Sequence, residues 1–383
     1  MRSPAGARFS LAAATAVETR ESWTVATLAV RPLSARDLPA LRHVRQRVAI
    51  LDWDTRREIE GLSVAHQAFT AMLPNRAGEQ TFVALIDDEL CATLSMRQQT
   101  IAYRWDVATL AAGSPRLDAD DAVVLELWTS LLEYGIAASG FAGARRLFAA
   151  AVEDSVACRS LRSAGFEPYT RQTLLLSAGV GRSVDSPQHM RRQEASDVWS
   201  IHHLYHHVTP RPVQFAEART SAAWEMPRRS ALDWLSPERR QVHQVVLETT
   251  DGIVAYCRIT TQHHRARIDL LVDPCARDVL GAFVVAAVED AGAAGCALEI
   301  VIPQYSSDLI WPLERIGFET VDDRVALVRH TTAPAVVHGR FAVAPVEGER
   351  VPKGVPSYYR VRAGSRHSAS AAVESHAIHR MER

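Results

Sequence analysis

Hydrophobic and polar positions run through the same series twice along this chain. Arg31 to Leu41 reads as a short strand, then Asp37 at the mouth of a helix with Leu38 and Leu41 on one face. Arg191 to Ile201 repeats this 160 residues later, with Asp197, Val198 and Ile201 in the same places. Phe82 to Ala92 reads as a β-hairpin turning at Asp88-Glu89, and Val245 to Ala255 repeats it after 163 residues, turning at Asp251-Gly252. Leu161 to Phe166 and Leu313 to Phe318 each end a helix at a glycine, 152 residues apart. The strands Arg171–Leu176 and Arg324–Val328 follow them.

Between the last two anchors the second copy predicts strand, helix and strand. Arg267–Val272 is the first strand, and Leu280, Phe283, Val284, Ala287 and Val288 line one face of the helix. Leu298, Ile300 and Ile302 alternate in the strand after it. The first copy has the corresponding helix at Ala122–Ala138 and the strand at Arg145–Val152. Three anchors in one order imply two similar domains, 24–178 and 186–331. The fold class is α/β, a mixed sheet with a βαβ crossover in each copy. Two similar sheets are expected, each with a splayed strand pair, and one continuous sheet would sink the tandem reading. Residues 332–383 form an extension whose Ser, Ala, His and Arg content predicts disorder from about residue 362.

Charge narrows the function. Lys+Arg number 43 against 44 Asp+Glu among 383 residues, which lacks the positive field of a nucleic-acid coat or a polybasic membrane anchor. Lys353 is the only lysine, so a P-loop lysine or a Schiff-base lysine in the body of the chain is excluded. The cysteines, at 91, 158, 257, 275 and 296, are odd in number and have no C-x-x-C, which argues against a disulfide framework or thiolate zinc knuckle and fits a reducing cytoplasm. No apolar run long enough for a membrane span is evident. Arg2, Arg8 and the short, alanine-rich stretch Phe9–Val17 imitate a leader, and a cytoplasmic location is the expectation.

The order strand, helices, hairpin, strand, helix, strand, helix, strand, with both helix endings at Gly-Phe, resembles the GNAT (GCN5-related N-acetyltransferase) superfamily in a tandem arrangement. The resemblance covers roughly residues 24–331. It implies an acetyl-CoA pyrophosphate site at a Q/R-x-x-G-x-G/A loop, where main-chain N–H groups at a helix N-terminus meet the anion. In the second copy, Leu271 and Val272 lead into Arg277-Asp278-Val279-Leu280-Gly281-Ala282, which meets the pattern at Arg277 and Ala282. Leu280 replaces the first glycine, with Gly281 beside it. The same residues read equally as a plain helix N-terminus. In the first copy Asp118, Asp120 and Asp121 stand where the anion would sit, and would cap the helix and repel a pyrophosphate.

The family's tyrosine general acid falls at Leu161 and Leu313, and its helix asparagine at Asp154 and Ser306. Asp269 is the candidate carboxylate on the strand before the loop, read as solvent-facing on an edge strand, while Tyr305, His263 and His264 depend on the fold to bring them in. What the resemblance implies is acetyl transfer to a small-molecule or peptide amine by direct attack, with acetyl-CoA in the second copy. The alternative is an inactive GNAT-like binding or scaffold protein.

His202-His203-Leu204-Tyr205-His206-His207 sets two i, i+4 imidazole pairs on a helix, but no Glu follows the first His as a zincin requires. No metal is expected there, and the helix reads as substrate-facing or solvated. Trp53, Trp199, Trp224 and Trp234 read as core or interdomain packing, and Arg228-Arg229 and Arg239-Arg240 as solvated surface.

Overall fold

The computed structural model describes residues 8–10, 27–44, 47–52, 79–99, 103–113, 120–181, 187–226, 241–262 and 264–331. The first repeat supplies strands β1 (Arg8–Ser10), β2 (Thr27–Pro32), β3 (Arg47–Ile50), β4 (Glu79–Ile86), β5 (Glu89–Gln98) and β6 (Arg104–Ala112). Helix α1 (Asp121–Phe141), β7 (Arg146–Ala151), α2 (Val156–Ser163) and β8 (Glu167–Ser177) complete it. The second repeat runs β9 (Met190–Arg192), α3 (Val198–Val208), α4 (Arg211–Glu217), β10 (Gln241–Thr249), β11 (Gly252–Gln262) and β12 (Arg265–Val272). It ends with α5 (Leu280–Asp290), β13 (Ala297–Pro303), α6 (Ile310–Glu314) and β14 (Glu319–His330). The second repeat follows the element order implied by the GNAT resemblance, and the first follows it from the hairpin onward. Between β2 and that hairpin its described residues form two 3-10 turns, Ala35–Asp37 and Ala40–His43, and β3 in place of the expected helix.

Local chemistry explains why the repeats match. Arg31 grips Asp37 with two hydrogen bonds of 2.7 Å, and Arg191 grips Asp197 at 2.7 and 2.8 Å. Each aspartate also accepts a main-chain N–H at 2.7 Å, from Ser34 and Glu194 respectively. Both helix endings close the same way. Gly165 (φ 82°) and Gly317 (φ 100°) take the left-handed conformation, and the N–H of Phe166 or Phe318 donates back to Leu161 or Leu313. Those leucines are fully buried beneath the phenylalanines, so packing sets their identity. The first hairpin turns at Asp87-Asp88 (φ 49° and 65°), one residue before the expected place, because aspartate tolerates positive φ in a two-residue turn.

The expectation of two separate sheets is corrected, and so is the criterion that one continuous sheet would sink the tandem reading, because the repeated hairpin, parallel strand pair and Gly-Phe ending persist within a single sheet. One 14-stranded sheet runs β1-β2-β4-β5-β6-β7-β14-β8-β13-β12-β11-β10-β9, with β3 paired to β6. The last strands are exchanged: β14 pairs with β7, and β8 pairs with β13. Val325 and Leu327 of β14 therefore complete the first repeat's core, and Leu175 of β8 the second's. These two strands are also longer than Arg171–Leu176 and Arg324–Val328, because each has a partner on both sides. The described residues cluster as one compact unit.

Helix α1 is long and apolar enough to cross a membrane by length and composition, which corrects the absence of such a run. In the fold it packs Val124, Leu127, Trp128, Leu131 and Leu132 into the first core. The expected extension, 332–383, lies outside the described residues.

Two outcomes follow from this frame. Leu327→Ala, at a fully buried position of the exchanged strand, is expected to cost about 2–5 kcal/mol in urea unfolding, in a single transition. Arg191 and the Glu194 N–H hold the Asp197 carboxyl below its ordinary value. Its contribution is therefore present above about pH 4 and lost as acid protonates it. Asp197→Asn should lower the melting temperature at pH 7, and the difference from the native chain should shrink toward pH 2.5.

Candidate functional site

Each repeat contains a parallel strand pair that starts together and diverges. β6 and β7 pair only from Arg104↔Arg146 to Asp106↔Phe148, and β12 and β13 only from Arg265↔Ala297 to Ile268↔Ile300. Beyond those points the facing main-chain groups need other partners.

In the first repeat the chain fills its own wedge. β3 pairs with β6 from Arg47↔Ala112 to Ile50↔Thr109. Leu51 then bridges the gap: its N–H donates to Ala108 O at 2.9 Å, and its carbonyl accepts from Ala150 N–H at 2.8 Å. Arg324 of the exchanged strand donates to Ile50 O at 2.7 Å and fixes the insert from the other repeat. Carboxylates hold the neighbouring helix N-terminus. Asp120 caps α1 by accepting from Val123 N–H at 2.8 Å, and Asp121 is paired with Arg47 and Arg159. Asp118 lies outside the described residues.

In the second repeat, no strand among the described residues fills the space between the outer ends of β12 and β13. Of the residues expected to hold the cofactor, Val272 and Leu280 are buried in the core, and Leu271 is half-buried against the Trp224–Tyr256 cluster. Leu280 therefore points away from the surface. Gly281 serves packing, since a Cβ there would meet Ile316 Cγ2 of the α6 corner at 3.2 Å. Arg277, Asp278, Val279 and Ala282 form the exposed part, with Arg277 Nε 2.5 Å from Asp308. A 3-10 turn, Pro274–Val279, leads into α5, and Asp273 caps it by accepting from Cys275 N–H at 3.0 Å. That bond holds the Asp273 carboxyl below its ordinary value. A carboxylate thus stands at this helix entrance also.

Within reach of Asp269 on β12 and Tyr305 after β13 lies a polar cluster that the sequence pattern revealed only in part. Ala218 ends α4 in the left-handed conformation (φ 42°), turning Glu217 and Arg219 toward one another. Glu217 Oε2 accepts from Arg219 Nε at 2.8 Å and from Tyr205 O–H at 3.0 Å. The Arg219 guanidinium lies 5.7 Å from the Tyr205 ring and 5.6 Å from that of Trp224. Tyr305, just past the end of β13, is pushed up to about 12 by burial and by Glu217, so it remains a proton donor at neutral pH. Burial and Glu217 also raise Tyr205.

Asp269 lies within the electrostatic reach of Arg219. Its strand is interior, between β11 and β13, which corrects the edge placement. It accepts from Arg267 Nε at 3.0 Å and stands opposite Arg258. The first repeat carries the same Arg-x-Asp arrangement at Arg104 and Asp106, 3.2 Å apart. Tyr169 comes from β8 and feels Glu217 and Arg219 of one repeat and Arg104 and Asp106 of the other. It is skipped in the pairing of β8 with β14, a bulge that re-aims its side chain.

The remaining candidates lie elsewhere. His264 sits before β12 at the opposite end from the wedge, and His263 is outside the described residues. Asp154 takes a left-handed conformation before α2. Ser306 lies in the 3-10 turn after β13. His207 Nε2 is 3.3 Å from Asp273, while His202 and His206 bond to each other. Among the described residues no three His, Cys, Asp or Glu side chains converge as a metal set. Trp224 is buried and Trp199 is 71% exposed, so packing accounts for the first alone. Trp53, Trp234, Arg228, Arg229, Arg239 and Arg240 lie outside the described residues.

No protein-family model matches the sequence, and no curated protein matches it significantly. Solved structures of similar fold include a GCN5-related N-acetyltransferase from Sphaerobacter thermophilus, at 14% identity and TM-score 0.45, covering 79% of this chain and 95% of that one. A tandem GNAT protein from the clavulanic acid biosynthesis pathway is similar at 13% identity and TM-score 0.43, covering 79% and 98%. A GNAT-family acetyltransferase from Colwellia psychrerythraea is similar at 10% identity and TM-score 0.38, covering 74% and 100%. Each likeness is distant, so the chemistry has to come from this chain's own residues.

Removing the shared acceptor of the polar cluster leaves Arg219 and the Tyr205 hydroxyl unpaired. Glu217→Ala is therefore expected to cost about 1–3 kcal/mol in urea unfolding. Glu217→Gln, which still accepts from both donors, should cost less.

Proposed function

We propose that the chain is an acyl-CoA-dependent N-acyltransferase whose donor site is the open wedge of the second repeat. The asymmetry between the wedges carries this reading: β3 and Leu51 fill the first, while among the described residues no strand enters the second. The divergent edges of β12 and β13 would hold the extended part of acetyl-CoA by main-chain hydrogen bonds. The exposed stretch Arg277–Val279 with Ala282 would face its phosphates, once Arg277 is shared with Asp308. The donor supplies an activated acyl group, and an amine acceptor attacks it directly. Tyr305, protonated at neutral pH at the mouth of the wedge, is the group we assign to protonate the leaving thiolate. The first repeat would serve as scaffold.

A second reading has one observation in its favour. Asp273 places a carboxylate at the entrance of the 3-10 turn before α5, and Pro274 removes one N–H there. Both oppose an anion, as a GNAT-like module without catalysis would allow.

Calorimetric titration of the full chain with acetyl-CoA separates the readings. The acyltransferase reading expects saturable binding at one site, weakened by Arg277→Glu and strengthened by Asp273→Asn in proteins whose melting temperatures confirm folding. Absence of binding at millimolar acetyl-CoA by folded protein would leave the non-catalytic reading.

A further inference from the structure

We propose that His202 and His206 form an acid-sensitive latch that ties the Trp224 turn to α3 and α4 at neutral pH and releases it on protonation. The inference does not depend on the acyltransferase reading. It rests on a hydrogen-bonded chain in which every proton has one place.

The chain starts at the Trp224 indole, which donates to His202 Nδ1 at 3.1 Å. An indole N–H can only donate, so His202 Nδ1 carries a lone pair and its proton is on Nε2. That proton faces His206 Nε2 at 3.1 Å. The other end fixes the same direction independently. Gln214 Nε2 donates to two carbonyls, His206 O at 2.9 Å and Thr209 O at 2.6 Å. Its Oε1 therefore faces His206 Nδ1, at 2.5 Å, and must accept from it. His206 thus carries its proton on Nδ1 and offers a lone pair at Nε2. The two assignments meet without conflict between the imidazoles.

A further proton has no place in this chain. On His202 it would sit at Nδ1 against the indole hydrogen, and on His206 it would sit at Nε2 against the hydrogen of His202. Either event breaks a link, and both imidazoles charged would repel at contact. Burial, and His206 beside it, hold His202 below its ordinary value.

Among the described residues the surroundings supply no compensating charge. On α3 itself, Tyr205 donates to Glu217, His203 is exposed, and His207 is turned to Asp273. From α4 and its end, Glu217 and Arg219 are paired together. From β11, Arg258 donates to Ala223 O and to Tyr256 O–H. From β12, Asp269 is paired with Arg267, and from the turn before α3, Asp197 is paired with Arg191. Glu225, just past Trp224, is exposed. Among the described residues no carboxylate pairs with His202 or His206.

The latch matters because Trp224 is central. It is 3% exposed, accepts from Gln193 through its carbonyl at 2.8 Å, and packs its ring on Tyr205 and Tyr256. Its release would loosen the aromatic support of Arg219 and so the cluster beside the wedge. The sign follows from linkage. Below the ordinary imidazole value, about 6.5, the unfolded chain binds a proton that folded His202 refuses. The latch's stability is therefore full above that pH and is lost as pH falls.

The test uses the full chain labelled with 15N-histidine. At pH 7.5 the long-range imidazole spectrum should show His202 as the Nε2–H tautomer and His206 as the Nδ1–H tautomer, assigned with His202→Asn and His206→Asn. His202 should titrate below the ordinary range, and closer to it in Trp224→Phe. The urea midpoint should fall between pH 7.5 and 5.0 in the native chain, and fall less in His202→Asn, which cannot be charged. An Nδ1–H tautomer at His202, ordinary titration with Trp224 present, or an equal fall in His202→Asn would overturn the latch. If Trp224→Phe fails to fold, the tautomers of the native chain decide alone, and if an asparagine variant fails, His202→Gln or His206→Gln supplies the assignment.

Discussion

The exchange of final strands is the constraint on which the rest of the molecule depends. β7 and β13 each need a neighbour on their outer edge, and each takes it from the other repeat. Had each repeat kept its own last strand, the contact between repeats would be side chains across a seam. Exchange replaces the seam with main-chain ladders, including the β8–β14 pair at its centre. No edge is left exposed there for mispairing. The cost is independence, because the first core is incomplete without Val325 and Leu327, and the second without Leu175.

Within this shared frame the repeats have diverged at one feature, the wedge between their parallel strands. An unpaired strand edge in a protein interior is costly, and the chain meets that demand in the first repeat with Arg47 to Leu51. The solution uses the main chain alone, so it leaves little mark on side-chain identity. Carboxylates also stand ahead of the helix in both repeats, Asp120 at the N-terminus of α1 and Asp273 at the 3-10 turn that leads into α5, each accepting a main-chain N–H. A carboxylate is the cheapest local answer to unpaired donors, and it is also the group that most opposes an external anion. The second repeat therefore combines a strand pair that no described strand bridges with a carboxylate at the turn leading into α5.

Much of the frame was legible in the sequence, and the legible parts are those with local causes. The matching Arg31-to-Asp37 and Arg191-to-Asp197 segments, the hairpins and the Leu-to-Phe helix endings each depend on residues within a few positions of one another, although the Arg–Asp pairing itself emerges only in the structure. The strand exchange was not legible, because Leu174, Leu175 and Val325 to Val328 read as apolar strands whichever repeat they join. The insertion of β3 was hidden for a related reason, since four residues with a mixed pattern carry no signature of their partner. One available signal was overlooked: Arg104-x-Asp106 and Arg267-x-Asp269 recur at the hairpin's own spacing of 163 residues. Glu217 and Arg219 had no such twin, and their pairing depends on the positive φ of Ala218, a conformation that alanine does not announce.

The exchange also bears on what the first repeat is for. Tyr169 and Val321 hold equivalent places after the two Gly-Phe endings, and both are skipped in the β8–β14 pairing. The bulges are therefore a property of the frame, inherited by both repeats. Their side chains have different fates: Val321 is 51% exposed, whereas Tyr169 packs by Phe148, Ala216 and Val328 within reach of Glu217 and Arg219. Because β8 crosses into the second half, a residue of the first repeat stands beside the second repeat's polar cluster. Removing the first repeat would therefore strip a strand from the second core and a tyrosine from the cluster together.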